Sequence, residues 1–345
     1  MRFFCAAILC LAALPAMAEN FNVGVLFWSM NIPGQVAMRH GLEAEAARIN
    51  AQAKREGKPG VVLTVQVAGD GETGIENQIR QMRELIGQQV DIIIVQPTDN
   101  AALSRPLKEA NNVGIPVVAY DQYISGGTLA AYRTSDNFQA GFLDGEYIAS
   151  LVQPDREIRL VLVEYPHVSS TVERVNGFLD ALRQSKRSYK VLKTYSAVEA
   201  VGGRKAAKEI LKDFPAKGSI DVIFTVNDGG GLAVVEGLKA AGRDEISVAS
   251  VDGDPASVEN IRVGRLTVID SAQFCGPLGA AAMSAAYALL TGESTPYHAL
   301  VPVFPVTRET LALYPGWLGP IPESYSKPWP SGTPTWSGSL KVVKP

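Results

Sequence analysis

Short apolar runs alternate with amphipathic stretches along the chain from Phe21 to about Val306. The apolar runs are nearly continuous, which is typical of parallel strands that are buried on both faces. The stretches between them place apolar residues at helical spacing. The strands predicted in this way are, in chain order, FNVGVLFW, VVLTVQVAG, VDIIIVQ, IPVVAYD, IRLVLVEY, KVLKTYSA, IDVIFTVN, ISVASVDG and LTVIDSAQ.

The alternation predicts an α/β fold of two doubly wound lobes in tandem, each with its own parallel sheet. Helices are expected on both faces of each sheet, because the strands between them hold few polar residues. The predicted helices are GQVAMRHGLEAEAARINAQAKREG, GIENQIRQMRELIGQQ, AALSRPLKEANNVG, TVERVNGFLDALRQS, GGRKAAKEILKDF and GLAVVEGLKAAG.

Polar residues follow the apolar runs at the same spacing in both halves. The interval from Gln96 to Asp121 equals the interval from Asn227 to Asp252. Ligands of such sheets lie outside the carboxyl ends of the strands, so these four side chains are predicted to line one cleft. The alternative is that they are turn and helix-cap residues. The residues for which that structural role is predicted are Thr98, Asp99 and Asp228.

Residues 1–18 have the pattern of a secretory signal peptide. Arg2 supplies the positive charge, Phe3 to Leu14 form the apolar segment, and Ala-Met-Ala at 16–18 offers a cleavage site. We expect cleavage after Ala18 and a periplasmic location. The rest of the 345-residue chain is long enough for about two domains.

Cleavage would also remove Cys5 and Cys10 and leave Cys275 as the one cysteine of the mature chain. No internal disulfide can then form, so stability must come from a large apolar core. Cys275 lies beside an apolar stretch, and a buried structural thiol is predicted there.

Charge and motifs argue against several classes of function. The net charge of −3 and the lack of a Lys/Arg tract exclude a basic footprint for nucleic acid. The three histidines, His40, His167 and His298, are far apart and have no metal-ligand spacing. No GxSxG elbow or phosphate-binding loop occurs, and the glycines at 229–231 lack the GxGxxG spacing. We expect no enzyme activity, no metal and no cofactor.

The composition changes after about Thr307, where Pro, Gly and Ser become frequent and three of the four tryptophans occur. This C-terminal extension, residues 313–345, cannot form a long helix. Disordered segments are usually poor in aromatic residues, so Trp317, Trp329 and Trp336 are expected to pack against a lobe. A partner-binding segment is the functional alternative.

A series of motifs resembles the type I periplasmic solute-binding proteins, the ribose- and galactose-binding branch that serves ABC importers. The motifs are FWSMNIPGQVAMRHGLEAEA, QPTDNAALSRPLKEANNVGIPVVAYDQ, RTSDNFQAG, ERVNGFLDAL, NDGGGLAVVEGLKAAG, VASVDGDPASVENIRVGRL and IDSAQ. The resemblance implies two lobes joined by three crossing strands, near Ser135, Gln273 and Val303, that close on a ligand by hinge motion. It divides the chain into an N-terminal lobe, 19–134 plus 274–303, and a C-terminal lobe, 135–273 plus 304–312.

The resemblance also implies a set of ligand contacts. Asp121 and Asp252, one from each lobe, would clamp a sugar or polyol between them, because carboxylates hydrogen-bond ring hydroxyls. The full set that it implies is Gln96, Asp121, Ser135, Asn227, Asp252 and Gln273.

The chain departs from the sugar-binding pattern at several positions. Gly34 and Gln35 stand where stacking aromatic residues are expected, and Gln122 and Val172 stand where arginines are expected. A further expected aromatic is replaced at about Val198. The site is therefore predicted to lack a guanidinium group, which argues against a strongly anionic ligand.

Trp28 could supply a replacement stacking face, with Tyr123 as a second candidate. Packing in the core at the end of the first strand is the alternative for Trp28. Together with the contacts above, the predicted ligand-binding residues are Trp28, Gln35, Gln96, Asp121, Gln122, Ser135, Val172, Asn227, Asp252 and Gln273.

Three functions remain open. The first is a monomeric receptor that delivers a small neutral sugar or polyol to an inner-membrane ABC permease. The second is a receptor that serves a sensor kinase or chemoreceptor, with no transport. The third is a receptor for a non-sugar aromatic or heterocyclic molecule.

Overall fold

The computed structural model describes residues 19–166 and 168–344. The predicted signal peptide and His167 lie outside the described residues. Two sheets dominate the fold, and each belongs to a lobe with its own helices, which confirms the predicted fold class.

Seven strands form the first sheet, which we call the N-lobe together with its helices. The strands are β1 (Phe21–Phe27), β2 (Val61–Val67), β3 (Ile92–Val95), β4 (Val117–Tyr120), β5 (Ala131–Ser135), β11 (His298–Val301) and β15 (Lys341–Val343). Their order across the sheet is β15-β11-β5-β4-β3-β1-β2. All pairs are parallel except β15 with β11, which is antiparallel.

Six strands form the second sheet, which we call the C-lobe together with its helices. The strands are β6 (Ile158–Glu164), β7 (Tyr189–Ser196), β8 (Val222–Thr225), β9 (Ser247–Asp252), β10 (Thr267–Gln273) and β12 (Val303–Val306). Their order is β12-β10-β9-β8-β6-β7, and the sheet is parallel except for the edge strand β12. In both sheets the central short strands are completely buried, as their unbroken apolar sequence predicts.

Helices cover both faces of each sheet. They are α1 (Pro33–Glu56), α2 (Gly71–Gly87), α3 (Ser104–Asn112), α4 (Asn137–Leu151), α5 (Ser169–Gln184), α6 (Ala200–Asp213), α7 (Asp228–Ala240), α8 (Pro255–Val263) and α9 (Cys275–Leu290). A 3-10 turn follows at Leu311–Leu313. None of the described helices combines the length and the apolarity needed to cross a bilayer.

Glycines allow α4 and α5 to pack in direct backbone contact. A Cβ atom at Gly141 would overlap the carbonyl oxygen of Arg174, and one at Gly177 would overlap that of Phe138. The two helices can therefore approach more closely than side chains would permit. This close packing holds Arg174 against the carboxyl ends of the C-lobe strands.

The chain passes between the two sheets three times. It leaves the N-lobe after β5, returns between β10 and α9, and crosses again between β11 and β12. The last crossing takes a single residue, Pro302. The three crossings lie side by side, since Gln273 pairs with Val303 and Val301 pairs with Ser135.

The C-terminal extension is packed against both lobes. Its last strand, β15, adds to the edge of the N-lobe sheet, and a two-stranded ribbon forms from β13 (Tyr325–Ser326) and β14 (Thr335–Trp336). Trp329 and Trp336 belong to the buried core, and Trp317 packs against it. The prediction that the three tryptophans are packed is thus confirmed, as is the buried thiol of Cys275.

Candidate functional site

Gln96 and Asp121, predicted from the repeated spacing, meet at the carboxyl ends of β3 and β4. The side-chain amide of Gln96 donates from Nε2 to Oδ2 of Asp121 over 2.9 Å. Its Oε1 accepts the backbone N–H of Trp28 at 3.3 Å. Gln96 is completely buried and Asp121 almost so. The adjacent buried strands therefore hold one carboxylate of the N-lobe in a fixed orientation.

Asp121 and Asp252 share an uncommon backbone conformation. Their φ angles are 65° and 127°, both in the positive range that non-glycine residues seldom adopt. Each residue closes or directly follows a buried strand, β4 in the N-lobe and β9 in the C-lobe. Such strain persists only where the surrounding structure imposes it, and it concentrates at functional sites.

A chain of hydrogen bonds connects Asp252 to the strand crossings. Gln273, at the end of β10, donates from Nε2 to Oδ1 of Asp252 over 2.7 Å. The hydroxyl of Ser135, at the end of β5, donates to Oε1 of Gln273 at 2.7 Å. Three predicted site residues from three strands are thus brought together beside two of the crossings.

Arg174 also reaches Asp252, although it is not among the site residues predicted from the sequence. Its Nη1 lies 2.9 Å from Oδ1 of Asp252 and donates to the carbonyl of Val226 at 2.8 Å, while Nε donates to Oδ1 of Asn137 at 3.0 Å. The expectation of a site without a guanidinium group is therefore wrong. Val172, where the arginine was expected, is 39% exposed.

Helix geometry explains this difference. Two residues along a helix turn the side chain by about 200°, so Val172 and Arg174 lie on opposite faces of α5. The inward face of α5 is otherwise apolar or small and includes Gly177, Phe178 and Ala181. Arg174 falls at the same helical spacing as these buried residues, and a buried charge needs a partner. That spacing was the signal in the sequence that could have identified Arg174.

The charges of the two lobes influence one another. Burial is the main cause that raises the pKa of Asp121, whereas the hydrogen bond from Gln96 and the charge of Arg174 lower it. The charge of Asp252 raises it further. Burial likewise raises the pKa of Asp252, against the charge of Arg174 and the hydrogen bond from Gln273. The charge of Arg174, which pairs with Asp252, therefore acts on the carboxylates of both lobes.

Gln122 and Ser170 link the two lobes directly. The Nε2 atom of Gln122, just after β4, donates to Oγ of Ser170 in the first turn of α5 at 3.1 Å. Both residues are buried, at 8% and 5% exposure. The two lobes are thus in contact across the cleft in this structure.

The other predicted residues have different surroundings. Gln35 is buried on α1, where its Oε1 accepts the backbone N–H of Ser29 at 2.9 Å. Trp28 is half-buried and directly follows β1. Asn227 caps α7, because its Oδ1 accepts the N–H of Gly230 and its Nδ2 donates to the carbonyl of Val198. Both polar ends of Asn227 therefore have protein partners, as the helix-cap alternative predicts.

A pair of buried carboxylates lies beneath this cluster in the C-lobe. Oδ1 of Asp228 accepts the hydroxyl of Ser250 and its Oδ2 accepts the N–H of Asp254, while Oδ1 of Asp270 accepts the N–H of Gly253. Burial raises the pKa of Asp270 to about 6. Burial and the neighbouring charge of Asp270 raise the pKa of Asp228 well above its usual range. The pair thus holds protons at pH values where free aspartates are ionised.

From this pair of carboxylates we expect the free energy of unfolding to increase on mild acidification. Because the folded-state pKa of Asp270 exceeds the unfolded value of about 3.9, its favourable contribution is complete below pH ~4 and is lost as the pH rises through about 6. Asp270→Asn removes this titration. The unfolding free energy of the wild type minus that of the variant should rise by up to about 3 kcal/mol from pH 7 to pH 4. Urea titrations at each pH measure it, and a difference that does not depend on pH contradicts it.

Within the ranges 19–166 and 168–344, no cluster of three or more His, Cys, Asp or Glu side chains could hold a metal ion. The polar cluster around Asp121, Asp252 and Arg174, at the carboxyl ends of strands from both lobes, is the candidate site.

Known proteins resemble this chain over most of its length. Residues 23–294 match a family described as "Periplasmic binding protein domain". The ribose import binding protein of Bacillus subtilis (strain 168) is 27% identical over 262 residues, which cover 75% of this chain and 79% of that protein. The ribose import binding protein of Escherichia coli (strain K12) is 25% identical over 279 residues, 81% of this chain and 87% of that protein. The structure of the Caulobacter myo-inositol binding protein bound to myo-inositol has a TM-score of 0.73 at 24% identity, covering 86% of this chain and 96% of that one.

Proposed function

The chain belongs to the periplasmic binding protein family, and from this premise we propose that it is a periplasmic receptor for a neutral sugar or polyol. It binds its ligand between the lobes without turnover and delivers it to an inner-membrane ABC permease. The names of the two ribose import binding proteins and of the myo-inositol binding protein support this class of ligand.

The polar cluster that holds one carboxylate from each lobe, Asp121 and Asp252, carries the proposal. Each hydroxyl of a sugar or polyol both donates and accepts hydrogen bonds, and the cluster offers both kinds of partner. Carboxylate and amide oxygens accept hydrogen bonds, and amide and guanidinium N–H groups donate them; in this structure Gln96 donates to Asp121, and Arg174 and Gln273 donate to Asp252. A ligand that left these groups unpaired would lose about 1–3 kcal/mol for each of them.

The charges of the cluster favour a neutral ligand. The cluster holds two carboxylates and one guanidinium group, so an anionic ligand would meet a net negative environment when both carboxylates are ionised. Arg174 is moreover already engaged by Asp252, Asn137 and the carbonyl of Val226. It therefore does not offer a free pair of N–H groups for bidentate binding of a phosphate or carboxylate group.

Ligand capture proceeds by closure of the lobes about the three crossings. We assign the hinge to the segments near Ser135, Gln273 and Val303, with lobes 19–134 plus 274–303 and 135–273 plus 304–312. A ligand that contacts Asp121 and Asp252 together interacts with both lobes only in the closed state. Its differential affinity for that state shifts the equilibrium toward closure.

A panel of compounds tests the proposal. The mature protein is stripped of ligand by unfolding and refolding, and its melting is followed with D-ribose, D-allose, myo-inositol, ribose 5-phosphate and adenosine. We expect a neutral sugar or polyol to stabilise the fold, by about 2.7 kcal/mol at a hundredfold excess over Kd. D-ribose and its phosphate form a matched pair for the effect of charge. Stabilisation only by the phosphate or only by adenosine contradicts a neutral sugar or polyol as the ligand.

A further inference from the structure

Trp317, in the C-terminal extension, lies beside the candidate site. Its indole Nε1–H donates to the backbone carbonyl of Asp252 at 2.7 Å. Its own carbonyl accepts the N–H of Gly276, in the first turn of α9, at 2.9 Å. The first contact is with the C-lobe and the second with the N-lobe. One residue outside both sheets therefore connects the two lobes next to Asp252.

Gly34 lies next to the indole ring of Trp317. A Cβ atom at Gly34 would lie 3.9 Å from Cζ2 of Trp317 and 3.6 Å from Sγ of Cys275. A side chain there would begin within van der Waals distance of the ring. Gly34 is the second residue of α1, so the ring stands between the start of an N-lobe helix and the end of the C-lobe strand β9.

We propose that Trp317 forms an aromatic wall of the ligand site, supplied by the C-terminal extension across the cleft. The inference rests on the proposed function, since it concerns the same ligand between the same lobes. The N–H of the indole is already used by Asp252, so what remains for a ligand is the apolar ring. A flat apolar surface suits the C–H face of a pyranose or cyclitol ring, whose hydroxyls meet the polar cluster.

The wall also distinguishes between ligands. Trp317 is half-buried and is fixed at its side chain and at its backbone, so little rotamer entropy is lost when a ligand packs on it. Cyclic polyols present a continuous C–H face to such a ring, whereas linear polyols do not. The site is therefore specific for cyclic ligands.

Substitutions of Trp317 test the wall. Affinities for D-allose, myo-inositol and the linear polyol D-sorbitol are measured by calorimetry for the wild type, Trp317→Phe, Trp317→Leu and the neighbouring control Leu318→Ala, which is 60% exposed in the wild type. We expect Trp317→Leu to weaken binding of the cyclic compounds by about tenfold. Trp317→Phe, which keeps a ring, should restore most of the loss, and Leu318→Ala should bind as the wild type does.

Two further measurements separate a wall from a structural role. Trp317→Ala alone should lose affinity. The double variant Gly34→Phe with Trp317→Ala, which introduces a ring from the N-lobe helix α1 instead of from the extension, should recover part of that affinity. Intrinsic fluorescence is compared in a Trp28→Phe background, because Trp28 is also a candidate site residue; it should change on binding there, and this change should be largely absent when Trp317→Phe is added. If Trp317→Leu does not fold, the fluorescence comparison decides.

The outcomes are distinct. Suppose that the wild type binds a cyclic compound. If Trp317→Leu binds it equally well, or if Trp317→Phe keeps the full fluorescence change, the proposal that Trp317 forms a wall of the site is wrong while the proposed function stands. Tighter binding of D-sorbitol than of both cyclic compounds also overturns the wall. If the wild type binds neither cyclic compound nor any sugar of the panel, the proposed function fails and the wall with it.

Discussion

Lys327→Met is expected to lower the free energy of unfolding by about 3–5 kcal/mol, because it leaves a buried carboxylate without its counter-charge. Lys327 lies in the C-terminal extension, and its Nζ is 2.6 Å from Oε2 of Glu146 on α4. The side chains are 1% and 4% exposed, so solvent cannot replace the lost partner. Trp329 and Ser331, which also donate to Glu146, are neutral. Urea unfolding of the mature protein measures the change.

Two variants control this prediction. Lys341→Met makes the same chemical change in a pair whose lysine is 66% exposed, where the expected loss is below about 1 kcal/mol. The double variant Lys327→Met with Glu146→Gln removes both charges and should recover much of the loss. A loss for Lys327→Met no larger than that for Lys341→Met would show that the buried pair does not hold the extension on α4.

Asp252→Ala should weaken ligand binding by well over tenfold, because a hydrogen bond to a charged group contributes about 1.5–3 kcal/mol. The carboxylate of Asp252 holds Arg174 and Gln273, so its loss also releases two donors of the proposed site. Asp252→Asn keeps the size of the side chain, and asparagine tolerates the positive φ. We expect it to weaken binding in the same direction. Calorimetry with the panel compound that most stabilises the wild type measures both variants.

The matched control is Asp244→Ala, in the same lobe. Asp244 pairs with Lys239 at the surface and is 59% exposed, so its removal should leave affinity unchanged. Unchanged affinity in Asp252→Ala, for a compound that closes the lobes of the wild type, would instead remove Asp252 from the site. A melting temperature measured without ligand separates a loss of fold from a loss of binding.

The C-terminal extension connects these predictions. Its ion pair with Glu146 fixes it to the C-lobe, β15 fixes it to the N-lobe, and Trp317 reaches Asp252. Lys327 contacts α4 rather than the polar cluster, so Lys327→Met should change binding only through stability. Trp317→Leu changes the proposed aromatic wall of the ligand site. Comparing the two variants therefore separates an effect on affinity from an effect on stability.

Much of the fold could be predicted from the sequence because its signals are local. Continuous apolar runs identified nine strands, and the structure contains all nine among its described residues. The polar residues that follow these runs had to lie at the carboxyl ends of parallel strands. For Gln96 and Asp121 this placed two side chains within hydrogen-bonding distance, because their strands are neighbours in the sheet.

The same local signal was ambiguous at Asn227. An asparagine between a buried strand and a helix can contact a ligand or cap the helix, and the pattern of apolar and polar positions is identical for both. The orientation of its side chain decides between these roles. In the structure the side-chain oxygen of Asn227 accepts the backbone N–H of Gly230, and its Nδ2 donates to the carbonyl of Val198.

The sequence by itself determined the two-lobed α/β fold, the order of its strands along the chain and the edge of the sheets at which polar side chains gather, because these follow from periodicity. Only the tertiary structure decided which side chains distant along the chain come into contact. Arg174 joins Asp252 across 78 residues, Trp317 joins it across 65, and Lys327 joins Glu146 across 181. Such contacts depend on how helices and the extension pack on the sheets, and no local pattern along the chain records that packing.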